Sequence, residues 1–395
     1  MVAGGGTPEP LFGERLQIAR DMANLTQAEV AEAAGIARET LSRWEKSFRN
    51  DVTSESVNRL ALTLSFPVAF FKEPPTPGFA DGSLRFRAKK SISKTELRRV
   101  RHHARMVRDT ISAMSMKIRW AQPRIPQLQS GMDLEEVAAL TRNALGLAPG
   151  SPIDNVTRSL ERAGVAMVAF PWPDSSDHDA FSTWLEGAIE RPLIVVNVID
   201  SWERTRWSTA HEVGHLVLHR VPSLNDEEQE AHDFANEFLF PEVALRSEWP
   251  QQATLSEILP LKHRWGMSIS ALIQHAYRSG LLTDTRRVSL FRQMSARKWR
   301  EREPGWEWRL AEKPRALSRM AEISYGNPVD IDSLAKDSGN WPPMAVRRLL
   351  AAQATSPIRT AKVANASPDE ELSGRVLSIN FAQNGASKGS GELQA

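Results

Sequence analysis

Trp207 to His219 reads W-S-T-A-H-E-V-G-H-L-V-L-H and holds His211-Glu212-x-x-His215 inside an apolar helical pattern. On a helix of about 3.6 residues per turn, positions four apart share a face, so His211 and His215 can present their imidazoles to one metal ion. Glu212 lies beside them, off the ligand face. There its carboxylate is suited to taking a proton from a metal-activated water and passing it to a leaving amine. Ala210, Val213, Leu216 and Val217 supply the apolar stripe, and Ser208 or Thr209 is expected to cap the helix.

A chance H-E-x-x-H in a chain with nine His among 395 residues is rare, and the apolar setting makes chance rarer. A third ligand must come from elsewhere. His219 is too far along the helix: eight residues rise about 12 Å, so His211 and His219 cannot share an ion. A helix-terminal or outer role suits it better. The next stretch, Asp226 to Phe240, is a second amphipathic helix ending before Pro241, with Ala231, Phe234, Ala235 and Phe238 at helical spacing. Of its acids, Glu230 adjoins that stripe most closely and is the first choice as ligand, with Glu227 second. Two His and one carboxylate leave a fourth position open for water, as catalytic zinc (Zn2+) requires.

Further motifs stand in order around this one. Asp179-Ala-Phe-Ser-x-Trp184, Arg191-Pro-x-Ile-x-x-Asn197, Arg204-x-Arg206-x-x-x-Ala-His-Glu-x-Gly-His-Leu216 and Glu230-Ala-x-x-Phe-Ala-x-x-Phe-Leu-x-Pro241 together resemble the ImmA/IrrE family of bacterial metallopeptidases. The resemblance covers about residues 130 to 285. It implies a gluzincin-like regulatory protease with His211 and His215 on the metal, Glu212 as catalytic acid/base and Glu230 as the downstream glutamate. Several members of the family cleave a repressor to switch transcription, which implies a protein substrate, another transcriptional regulator. Arg204 and Arg206 are expected to pair with acids rather than hold substrate.

The N-terminal part has a different pattern. Leu11 to Arg20 reads as an amphipathic helix, Thr26 caps a second over Gln27 to Ala34, Gly35 makes a turn, and Arg38-Glu-Thr-Leu-Ser-Arg-Trp-Glu45 forms a third. The run L-x-x-A-R-x-x-x-x-L-T-Q-x-E-V-A-x-x-A-G-I-x-R-x-T-L-S-R-W-E-K resembles the XRE, lambda-repressor-like DNA-binding family over residues 10 to 72. Two departures stand out: Ala37 replaces a capping Ser, and Lys46 to Thr53 lacks the usual Gly and Pro. The resemblance implies that Gln27 anchors the second helix at the backbone of double-stranded operator DNA. Arg38, Glu39, Thr40 and Arg43 would face the major groove, in a homodimer on an imperfect palindrome.

The expected organisation follows. Residues 1–9 are unstructured, 10–72 form the helix-turn-helix domain, and 73–92 are a linker, Pro/Gly-rich and then basic. Residues 93–125 make a basic helical connector, 126–285 the metallopeptidase domain, 286–353 a helical region of no recognised role, and 354–395 a disordered tail. Arg85 to Arg108 holds ten Lys/Arg against Glu96 alone, so phosphate contact competes with a solvated face as its reading. Val165 to Phe170 and Leu193 to Val198 read as strands, making the second domain α+β with a small sheet whose edge could take an extended substrate. The fold class is therefore multidomain: an all-α lambda-repressor-like domain plus an α+β zincin-like domain.

The composition is 41% apolar with 50 basic and 48 acidic residues, enough for ordinary cores and nearly balanced in charge. Absence of cysteine excludes disulfides and Cys-based metal sites and agrees with a reducing compartment. No apolar run approaches the ~20 residues that span a bilayer, and no signal peptide is evident, so no membrane partner and a cytoplasmic location are expected. Two rival readings remain: a transcription factor whose zincin-like fold senses a ligand or peptide without turnover, and a toxin–antitoxin or phage-related interaction module.

Overall fold

The computed structural model describes residues 8–79, 85–88, 93–170, 178–185, 190–197, 201–221, 224–305 and 309–353. The expected tail 354–395 and residues 1–7 lie outside them. The N-terminal unit runs β1 (Pro8–Phe12), α1 (Gly13–Ala23), α2 (Gln27–Ala34), α3 (Arg38–Lys46), β2 (Arg49–Thr53), α4 (Ser54–Leu64) and α5 (Val68–Lys72). Thr26 and Glu29 close a reciprocal capping box on α2, and Gly35 ends that helix at φ 63°, a left-handed conformation that suits glycine. Ala37 provides no side-chain cap to α3.

Two expectations fail here. Pro8 and Glu9 are not unstructured, and the first helix does not include Leu11: residues 8–12 form a strand antiparallel to β2, with Leu11 opposite Asn50. The unit is the expected helical domain, to which this two-stranded ribbon is added. Tertiary contact decides this. The start of α1 presses on the end of α3 so closely that a Cβ at Gly13 would lie 2.1 Å from the Trp44 carbonyl oxygen, so only glycine fits.

The remainder is built on a four-stranded sheet of order β3-β5-β6-β4, from β3 (Arg85–Ala88), β4 (Ala166–Phe170), β5 (His178–Leu185) and β6 (Arg191–Asn197). β4 and β6 are parallel, whereas β5 is antiparallel to both β6 and β3. The two expected strands are β4 and β6; composition alone flagged neither β5 nor β3. Side chains alternate across the sheet as a period of two requires. Met167, Ala169, Ala180, Ile194 and Val196 face one core, and Val168, Phe170, Phe181, Leu193 and Val195 face another. Burial on both faces explains why these strands read as unbroken apolar runs.

The first core is roofed by α7 (Leu134–Ala144), α8 (Val156–Arg162), α9 (Trp202–Leu218), α10 (Glu227–Leu239), α11 (Glu242–Glu248), α12 (Leu255–Trp265), α13 (Ile269–Arg278) and α14 (Asp284–Ala296). The second core joins the sheet to α6 (Lys94–Ser115), α15 (Ala316–Tyr325), α16 (Ile331–Asp337), α17 (Pro343–Ala351) and the N-terminal bundle. Residues 316–351 thus acquire a structural role. Trp341 packs on Phe70 at a ring-centroid distance of 5.1 Å and donates its indole N–H to Asp109 at 3.0 Å.

The basic stretch is likewise structural for the most part. α6 buries Val100, Ala104, Met106, Val107, Ile111 and Met114, each large side chain contributing roughly 1.5–3 kcal/mol on burial. Its arginines turn inward to fixed partners: Arg98 to Asp21 at 3.1 Å, Arg105 to Glu14 and the Thr76 carbonyl, Arg108 to Asp109 at 3.0 Å and the Pro77 carbonyl at 2.6 Å. Arg15 donates to the Pro74 carbonyl at 3.1 Å, so residues 74–77 are held at three carbonyls rather than left as a free hinge. Arg206 is buried in an ion pair with Glu312 and donates to the Ile153 carbonyl at 2.8 Å, the structural role expected of it. Among the described residues no helix is long and apolar enough to cross a membrane.

Candidate metal centre

α9 begins about two turns earlier than expected. Ser201 caps it by accepting from Arg204 N, so Ser208 and Thr209 are mid-helix residues. Within α9, Gly214 lets α10 approach: a Cβ there would lie 3.0 Å from both Ala231 Cα and the Phe234 ring. That close crossing lays the first turn of α10 against the two histidines.

The carboxylate delivered to them is Glu228, not Glu230 or Glu227. Glu228 Oε2 is 3.4 Å from His211 Nε2, Glu228 Oε1 is 3.3 Å from His215 Nε2, and the two Nε2 atoms are 3.2 Å apart. Ligand bonds of about 2.0–2.1 Å at a tetrahedral ion require edges of about 3.3 Å. The three contacts are close to that length, but the two from Glu228 end on different oxygens, so the donor types and their grouping fit zinc once the Glu228 carboxylate turns to present its oxygens to one ion. Burial works to raise the Glu228 pKa, but hydrogen bonds with His211 and His215 outweigh it and hold the carboxyl below its ordinary range. The Glu228 side chain is 59% exposed, so the centre opens to solvent on that side.

Glu230 sits one shell out. Its Oε2 is 2.9 Å from His219 Nε2 and also accepts from Ser130 Oγ at 2.5 Å, while Oε1 accepts from Gly131 N at 2.9 Å and Asn225 Nδ2 at 3.1 Å. His219 Nδ1 in turn is 3.0 Å from His215 Nδ1. With His215 Nε2 aimed at the cluster, its Nδ1–H donates to His219 Nδ1, and His219 Nε2–H donates to Glu230. One tautomer per ring satisfies the whole chain, which fixes the orientation of His215. Burial lowers the His219 pKa against the opposing pull of Glu230, the direction this pattern of neutral rings needs. The expectation that Glu230 joins the two histidines therefore gives way to an orienting position. Helix position explains it: with α10 starting at Glu227, Glu228 and Glu230 point about 200° apart around its axis.

Glu212 is fully buried, and its Oε2 accepts from Ser182 Oγ on β5 at 2.6 Å. Trp207 stacks on the His211 ring at 5.3 Å and is itself held by Asn236 Oδ1 at 3.0 Å. Glu228, Ser182, Ser130 and Asn225 escaped the sequence reading. Ser182 lay inside a quoted motif, but nothing in a linear chain signals that β5 meets α9.

The other expected surface lies on α3, where Leu41 alone is buried. Gln27, Arg38, Glu39, Ser42, Arg43, Lys46 and Ser47 line one shallow concavity there; Thr40, on another side of the helix, is not part of it. Gln27 Nε2 donates to Glu45 at 2.7 Å, and Glu45 is paired with Arg20 at 2.6 Å. Glu45 is thus neutralised from inside, leaving Arg38, Arg43 and Lys46 against Glu39 on the open face.

Known families match both regions. Residues 160–277 match the IrrE N-terminal-like domain of the M78 peptidases, and residues 16–71 match a helix-turn-helix family. No curated protein matches the chain. The two matched segments contain, respectively, the His211, His215 and Glu228 cluster with β4, β5 and β6, and the exposed α3. The chain thus joins an XRE-type helix-turn-helix to an IrrE/ImmA-like, metallopeptidase-family domain.

Proposed function

We propose that this protein is a transcriptional regulator that binds operator DNA through α3 and cleaves another regulatory protein with a zinc-dependent endopeptidase site. The observation that carries the enzymatic half is the gathering of His211, His215 and Glu228, whose ligand atoms lie within 4.8 Å of one another, with a buried carboxylate, Glu212, beside them. Those three residues would hold the zinc. Bound there, the ion would polarise a peptide carbonyl and activate water. Glu212 takes the proton and returns it to the leaving amine, with Ser182 holding one of its oxygens in place during both transfers. His219 and Glu230 keep the His215 ring aimed. A purely sensory site would need the histidines but not Glu212, which favours turnover over a ligand sensor.

On DNA, Arg38, Glu39 and Arg43 would read base edges, and Gln27 would anchor α2 at the backbone. A homodimer on two half-sites and a cytoplasmic setting complete the reading. The test is metal analysis of the purified chain together with its incubation with candidate transcriptional regulators of the same cell, comparing the native protein with Glu212→Gln. Stoichiometric zinc in both and cleavage only by the native protein are expected. Cleavage at equal rates in both would refute the assignment.

A further inference from the structure

The sheet offers two outer edges, and both are already occupied within the chain. At β4 the Gln353 amide acts as a surrogate strand, accepting from Ala169 N at 2.9 Å and donating to Ala169 O at 2.7 Å. At β5 the edge is filled by β3, four residues from the segment that connects the helix-turn-helix to α6. β3 runs antiparallel to β5 with Arg85 opposite Ser182, Phe86 opposite Phe181 and, past a bulge, Ala88 opposite His178. Ser182 is the residue whose hydroxyl holds Glu212. The backbone of β3 therefore runs alongside the catalytic carboxylate in the position an extended peptide would take by strand addition. A peptide added outside β3 would lie one strand spacing, about 4.8 Å, farther from Glu212.

We propose that β3 is an intramolecular substrate mimic. The β5 edge is the substrate-binding edge of the centre, residues 85–88 close it in the resting protein, and the substrate is an extended protein segment that displaces them. This rests on reading the centre as a peptidase. Its consequence is coupling: the strap belongs to the same connection that ties residues 74–77 to α1 and α6, so an event at the helix-turn-helix that moves this connection frees the edge. A strand of four residues with a bulge is short enough to exchange for a longer one.

The test uses full-length protein and a fluorescent peptide of residues 83–90, with fluorescence polarisation as readout in a Glu212→Gln background. Replacing residues 85–88 by Gly-Ser-Gly-Ser should tighten peptide binding at least tenfold over the unmodified strap. Because the chain has no cysteine, Ala88→Cys with His178→Cys gives a clean lock across a directly opposed pair. Oxidation should abolish peptide binding, and reductant should restore it. Equal binding by the strap replacement, by the locked chain and by the unmodified chain overturns the proposal; the lock does so even if the Gly-Ser variant folds poorly. With Glu212 restored and zinc supplied, casein cleavage should rise at least tenfold in the strap variant. Peptide binding that follows the strap without any cleavage upholds the mimic and sinks the peptidase reading. Cleavage that is indifferent to strap and lock does the reverse.

Discussion

α3 and α9 each carry residues of a proposed site, yet they are built in opposite ways. Of the nine residues of α3 only Leu41 is buried, whereas fifteen of the seventeen residues of α9 are. Exposed side chains on one helix can meet a partner as they stand, so their arrangement follows from helical spacing alone. A metal centre inside a core must borrow groups from other elements: Glu228 from α10, Ser182 from β5, and Ser130 and Asn225 from loops. The first kind of site is legible in a sequence; the second is only half legible.

The comparison breaks hardest at Glu212. Glu212→Gln keeps a partner for Ser182 and should leave metal content and melting temperature unchanged while lowering peptide cleavage by about 10²–10⁴-fold. An unchanged rate would reduce α9 to a structural helix. Metal affinity then separates the two carboxylates of α10. Losing an orienting partner typically costs roughly 10–100-fold, so Glu230→Gln should fall in that range and Glu228→Gln beyond it. The opposite order, measured by competition with a chelator, would return Glu230 to the ion.

For α3, Arg43→Ala should weaken binding to the specific operator by about 1–3 kcal/mol and leave random DNA almost untouched. Equal losses on both would make α3 a source of charge only. The smallest effect is expected at Arg98. Its guanidinium is committed to Asp21, with 43% of the side chain exposed, so Arg98→Ala should cost no more than about 1 kcal/mol of stability and leave the salt dependence of DNA binding unchanged. A flatter salt slope in that variant would put α6 on the phosphates after all.

The capping box at Thr26, the turn at Gly35 and the strands around Val168 and Val195 were evident in the sequence because each depends on neighbours within a few positions. Pro8 to Phe12 was misjudged because a strand needs a partner, and that partner lies about forty residues away at Arg49–Thr53. The arginines of α6 looked like a charged surface because Asp21, Glu14 and the carbonyls of residues 74–77 are not adjacent in sequence. The region from residue 316 to 351 carried no motif because its work is packing, which many apolar sequences can perform.

Helical periodicity alone sets the pairing of His211 with His215, the presence of Glu212 beside them and the outward face of α3, so these follow from the order of residues along the chain. Which glutamate meets the histidines is not set by periodicity. That choice rests on where α10 begins and on how closely Gly214 lets it cross α9, two facts set by packing between elements. The same holds for the β5 edge. Strand pairing is a contact between distant segments joined by backbone groups common to all residues, so nothing in Arg85–Ala88 announces that it will lie beside Ser182.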